Sequence, residues 1–199
     1  MTLENEIQAQ FLKDIATHEM TILSDCGVFR CIRFADTQST CMHFTLTTWP
    51  DHIAISGDMG NFVFSRIKDM FSFFRDREME INPGYWAEKC VVAADSLHGI
   101  REFDPGKLRN AVIERFKDHF EDTDIEEAMQ CWEELCFDVL SSESTHEAYE
   151  NARDFEFGGF ALPDFCAAEI ESKTFNYLWC LYAIVWGIQK FDKVKNKQK

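Results

Sequence analysis

GVFRCIRFADTQSTCMHFTLTTWPDHIAISGDMGNFVFSRIKDMFSFFRDR, residues 27–77, is the stretch whose reading decides the fold. Val28, Arg30, Ile32 and Phe34 alternate with Phe29, Cys31 and Arg33, the period-two pattern of a strand. A polar connection, DTQSTC, leads to FTLTTW at 44–49, which is dense in β-branched and aromatic residues. Pro50-Asp51 ends that strand, and HIAIS at 52–56 is a third. GDMG at 57–60 reads as a tight turn whose two glycines permit positive φ. NFVFS at 61–65 is a fourth strand, turned back on the third. The prediction is a four-stranded antiparallel meander. Ser65 is placed to cap a helix over about 67–77, in which Ile67, Met70, Phe71, Phe73 and Phe74 supply an apolar face to cover the sheet.

Upstream, Leu3, Ile7, Phe11 and Ile15 recur every four residues with Leu12 beside them, which predicts an amphipathic helix over 3–19 with Thr2 as its N-cap. Asp25-Cys26-Gly27 then marks a turn. The leading MTLENEIQAQ has neither a basic n-region nor an apolar h-region, so no signal peptide is expected. Downstream, Asn82-Pro83-Gly84 is a turn, residues 85–94 predict a second helix, 100–103 a short strand and 107–120 a helix. Thr123 with Glu126 and Ser144 with Glu147 have the spacing of capping boxes, which start helices over 124–141 and 145–155. On the first of these, Ile125, Met129, Trp132, Cys136 and Val139 form the expected inner stripe. Residues 157–163 read as a loop and 164–191 as one long helix. Its segment 174–188 is apolar nearly all round but shorter than the ~20 residues a bilayer span needs, and Asn176 interrupts it. A buried central helix is therefore expected there, followed by a basic tail, KVKNKQK.

The chain has 199 residues, of which 46% are hydrophobic and 19 are Phe, ample material for a core and unlike a disordered chain. Its eight cysteines contain no CxxC pair, and reduced thiols in a cytoplasmic protein are expected. The net charge of −15 is unevenly spread. Residues 118–156 hold fourteen acids and one base, Arg153, for a net charge of −13. Such a field repels nucleic acid and attracts a basic protein surface.

TWPDHIAISGDMGNFVFSRIKDMFSFFR at 48–75, followed by INPGYWAEK at 81–89, resembles a widespread family of small phage and prophage proteins. The resemblance spans roughly residues 18–110, about half the chain, and transfers no active site. It implies a phage accessory protein working in the cytoplasm of an infected or lysogenic bacterium. Disabling a host nucleic-acid-handling defence, such as restriction or CRISPR, is the role it suggests.

For metal, the candidates are His18, Cys26, Cys31, Cys41, His43 and His52, and none has the close spacing of a zinc signature. A small metal-dependent or thiol hydrolase on the N-terminal sheet would draw on His43, His52, Asp58, Asp95 or His98, since a general base needs a carboxylate to orient it. GDMG lacks the Gly-Lys-Ser/Thr ending of a phosphate loop. Arg66, just beyond it, is either an anion contact or a solvated strand end.

The expectation is an α+β chain: an N-terminal helix, a four-stranded antiparallel meander covered by helices, then an all-helical acidic C-terminal half. The division expected is a sheet domain over 1–117 and a helical extension over 118–199. The favoured function is non-enzymatic: Glu126, Glu127, Glu133, Glu134, Asp138, Glu143, Glu147 and Glu150 occupy the basic nucleic-acid-binding surface of a host protein. No cofactor, catalytic residue, metal, membrane or direct nucleic-acid contact is assigned. A homo-oligomeric structural component, with the Trp- and Tyr-rich C-terminal helix as subunit interface, is the other reading.

Overall fold

The computed structural model describes residues 3–93, 99–121 and 124–197. Two compact units divide the chain: Met1–Ile100 with Lys173–Lys199, and Arg101–Ser172 between them in sequence. The boundary expected after residue 117 falls inside a helix. Leu108, Ala111 and Val112 of that helix share a core with the acidic helices downstream, whereas the last helix belongs with the sheet.

In the first unit, α1 (Leu3–Asp14) precedes β1 (Glu19–Cys26), β2 (Phe29–Ala35), β3 (Phe44–Trp49), β4 (His52–Gly57) and β5 (Gly60–Ser65). Two short helices follow, α2 (Met70–Phe74) and α3 (Pro83–Ala87), and then β6 (Cys90–Ala93). The six strands form one antiparallel sheet in the order β1-β2-β3-β4-β5-β6. The four expected strands are its centre, and β1 and β6 are additions at its edges. Residues 85–94, expected as helix, split into α3 and β6, because Asn82 caps the first turn and Val91-Val92 favour an extended chain. The N-terminal helix stops at Asp14, five residues early, so that Met20 and Ile22 can pair across to Phe34 and Ile32.

The inner face of the sheet is largely apolar, with Arg30 and the buried Thr48 paired at one end of it. Ile32, Phe34, Phe44, Leu46, Ile53, Ile55, Phe62 and Phe64 are all buried. Onto them packs α8 (Phe175–Lys197), with α1 and α2 against it. Residues 177–188 of α8 are buried on every side, so this helix is core and not a subunit interface. At Gly187 the helix comes so close that an added Cβ would stand 2.7 Å from Leu46 Cδ1. Helix α2 is capped by Asp69, not Ser65: its carboxylate accepts from Phe71 N–H at 3.1 Å and receives both ends of the Arg30 guanidinium at 2.8 and 3.1 Å. Burial pushes the Asp69 carboxyl up, but the Arg30 pair outweighs it and holds the group below the usual carboxylate range. Ile67 lies outside this shortened helix and is exposed.

The second unit runs through β7 (Arg101–Phe103), α4 (Pro105–Phe120), α5 (Ile125–Asp138) and α6 (Thr145–Asp154). A small hairpin of β8 (Glu156–Phe157) and β9 (Phe160–Ala161) follows, then α7 (Ala167–Ile170) and β10 (Glu171–Lys173), which pairs with β7. Residues 101–173 are therefore not all helical. The hairpin turns on Gly158 and Gly159 at φ 55° and 87°, a conformation that favours glycine. The single helix expected over 164–191 is broken, because residues 171–173 pair as a strand and Thr174 restarts a helix by accepting from Tyr177 N–H.

An acid-sensitive tie holds α7. The Glu169 carboxylate accepts from Cys166 N–H and from Arg115, each at 2.7 Å. These bonds lower its pKa from 4.5 to about 2. A depressed folded-state value means a contribution present above the unfolded pKa and lost as pH falls from 4.5 towards 2. Glu169→Gln is thus expected to melt at a lower temperature than wild type near pH 7. The gap should close as pH falls to about 2, as thermal scans at several pH values would show. A gap that stays constant across that window would assign the Glu169 contribution to packing.

Candidate interaction surface

The charge follows the structural division. Residues 101–172 hold twenty acids and six bases, a net charge of −14, whereas the first unit is close to neutral at −1. Within the second unit the acids concentrate on α5 and α6. Asp124 opens α5 by accepting from Glu126 N–H at 2.8 Å; Thr123, expected in this role, lies outside the described residues, as does Thr2. Ser144 opens α6, accepting from Glu147 N–H at 3.2 Å, while the Glu147 carboxylate turns back to accept from Glu143 N–H at 2.9 Å.

All eight predicted carboxylates are exposed: Glu126, Glu127, Glu133, Glu134 and Asp138 on α5, and Glu143, Glu147 and Glu150 on and before α6. Glu147 is spent on capping, and Glu150 meets His146 at 3.5 Å. The other six make no side-chain hydrogen bond or ion pair among the described residues. Their field shows in the neighbouring thiol. Burial, reinforced by the Glu134 and Glu127 carboxylates, pushes Cys131 up to about 11, so it is an unreactive core group.

The inner stripe of α5 differs from the expected one. Cys131, Leu135 and Val139 are the buried residues, joined to Val112, Ala148 and Ala152. The predicted stripe began at Ile125 and Met129, but these are 74% and 58% exposed. Phe137 is 80% exposed and, with Gln130, Glu133, Glu134 and Asp138, lines a shallow groove on the outward side. Two periodic stripes coexist in IEEAMQCWEELCFDVL, and only contact with α4 and α6 selects one of them. Neither stripe singles out Phe137 as exposed. Its signal in the sequence is its place between Glu134 and Asp138, off both stripes.

Elsewhere the predicted polar residues mostly fail to meet. His43 Nδ1 stands 3.1 Å from Asp58 Oδ1, so one imidazole–carboxylate pair forms at the GDMG turn. His52 instead stacks flat on Trp49, with ring centres 5.1 Å apart, and His18 Nε2 bonds the Met42 carbonyl at 2.9 Å. Asp95 and His98 lie outside the described residues. Among the described residues, no three His, Cys, Asp or Glu side chains are grouped to hold a metal ion. All eight cysteines are free of disulfides, and Cys31 accepts from the Thr47 hydroxyl at 3.8 Å. No helix among the described residues is long and apolar enough to cross a membrane.

A surface cleft of about 480 Å³ in the first unit is bordered by Arg75, Arg77, Gln189, Asp192 and Lys193. Its frame is structural: Arg75 pairs with Asp192 at 2.7 and 3.1 Å, and Gln189 donates to the carbonyls of Asp76 and Arg77. No protein-family model, curated protein or solved structure matches the chain.

Proposed function

We propose that the chain is a non-enzymatic interaction protein whose α5–α6 surface binds a basic partner. The observation that carries this reading is the combination on α5 of unpaired carboxylates with solvent-exposed Ile125, Met129 and Phe137. Carboxylates alone keep a protein soluble. A large exposed aromatic among them does not serve solubility and is the kind of group that anchors an interface. The carboxylates steer a Lys/Arg-rich surface by long-range attraction, and the apolar groups hold it once docked. The finer form of the proposal rests on the resemblance of residues 48–89 to phage proteins: an anti-CRISPR or anti-restriction inhibitor that occupies the nucleic-acid channel of a host defence complex.

The test compares wild type with two variants, Glu126→Lys/Glu133→Lys/Glu134→Lys/Asp138→Lys and Phe137→Ala. Each is immobilised and exposed to a bacterial lysate at about 50 mM and about 500 mM salt, below and well above ordinary screening. Wild type is expected to retain basic nucleic-acid-binding proteins at low salt and release them at high salt. The charge-reversed variant loses them altogether, and Phe137→Ala retains them at least ~10-fold more weakly without changing the salt dependence. Undiminished capture of the same proteins by the charge-reversed variant would refute the proposal.

A further inference from the structure

The outward face of the six-stranded sheet stands out against a chain with 28% charged residues. The strand register aligns its side chains in cross-sheet rows. One row runs Ser24, Cys31, Thr47, Ala54, Val63, Val92, each paired with the next across adjacent strands. Beside it lie Phe29, Trp49, His52 and Ser65, and on the other side Thr21, Arg33, Thr45, Ser56 and Asn61. Among the described strand residues, the charges on this face are Arg33 and, at one corner, Glu19. None of these side chains is buried, and Phe29 and Val92 are 54% and 56% exposed. Thr47 bonds Cys31 and Trp49 stacks on His52 within the face, and the His52 ring also meets the Pro50 carbonyl at the adjoining turn, at 3.0 Å.

We propose that this face is the contact between two copies of the chain, packed sheet on sheet. Charge selects the occupant. Residues 101–172 carry −14 of the net −15, so two copies repel through that unit, whereas this face, in the near-neutral unit, brings almost no charge to the contact. Shape agrees. Residues such as Ala54, Cys31 and Thr47 allow two sheets to approach to about 10 Å, and Val63, Val92, Phe29 and Trp49 supply apolar area. Six strands about 4.8 Å apart and about six residues long give a footprint of roughly 500–600 Å² per copy, which takes the pair above the ~1,000 Å² of a specific interface. A two-fold axis through the sheet makes the face its own complement.

Light scattering coupled to size exclusion tests this on the full chain, up to about 200 µM, where mass action favours association. The expected mass is twice the 23.2 kDa of one chain. High salt, about 0.5 M, should leave the dimer intact or tighten it, because screening removes repulsion between copies. Ala54→Glu places two like charges inside the contact and is expected to weaken association at least ~100-fold, giving a single-chain mass with an unchanged circular dichroism spectrum. If that spectrum changes, Thr47→Glu on the neighbouring strand gives the same reading. A wild-type monomer at about 200 µM, a dimer that dissolves in about 0.5 M salt, or a folded variant that still dimerises would each overturn the proposal.

Discussion

Trp179→Ala is expected to lose about 3–5 kcal/mol of stability, the cost of removing a large aromatic from a closed core. Trp179 is fully buried in the second turn of α8. Its ring meets Phe11 of α1 edge-on at 5.0 Å and Phe44 of β3 at 5.8 Å, so one side chain joins helix, helix and sheet. Its indole N–H donates to Asp14 at 3.0 Å, at the last residue of α1. Truncation opens a cavity between three elements and frees that helix end. Because domains have only about 5–15 kcal/mol in total, the loss is a large share of the whole. Urea unfolding followed by circular dichroism measures it. A loss under ~1.5 kcal/mol would mean the three elements close over the gap, contrary to a tightly packed core.

Gly57→Ala is expected to be comparably damaging for a different reason. Gly57 opens the GDMG turn, yet its φ is not in the left-handed region; among these two glycines only Gly60 is, at φ 135°. What Gly57 supplies is the absence of a Cβ. An added Cβ would stand 2.1 Å from the His43 carbonyl oxygen and 2.8 Å from Phe44 Cα, both backbone atoms of the adjoining strand. Relief requires opening the Phe44–Gly57 pair of the β3–β4 ladder, which puts the cost at or above the ~3 kcal/mol upper end for over-packing. Gly84, at the start of α3, is the control: an added Cβ there meets nothing within 4 Å, so Gly84→Ala is expected to be neutral or to gain up to ~1 kcal/mol. Equal effects at the two positions would show that the close approach at Gly57 does not matter. Faster amide exchange along β3 and β4 in the Gly57 variant would locate the damage.

Much of the candidate surface was legible because charge is a property of composition. Glu126, Glu133, Glu134 and Asp138 are exposed as expected, since unpaired carboxylates stay in water almost regardless of tertiary context. Which apolar residues share that exposure was not legible. Ile125 and Met129 fit a helical stripe as well as Cys131 and Leu135 do, and the choice depends on which side of α5 faces α4 and α6. The His43–Asp58 pair could not be read from spacing either, because fourteen residues and two strands separate its members.

The sequence by itself determined the centre of the sheet, the acidic helices and the Ser144 cap of α6. These rest on local rules: period-two alternation, turn residues, and side chains that satisfy the first N–H groups of a helix. Only the tertiary structure decided the rest. Edge strands β1 and β6 exist because β2 and β5 offer them backbone partners, which no local pattern in MTILSD or CVVA reveals. The break between α7 and α8 exists because residues 171–173 pair with β7, some seventy residues earlier, rather than continue a helix. The gathering of Met1–Ile100 with Lys173–Lys199 follows from α8 filling the apolar face of the sheet. The nearly uncharged outward face follows from the register that sets Cys31, Thr47, Ala54 and Val63 side by side. Each of these depends on contacts distant in sequence, whose energy is decided only when the chain has folded back on itself.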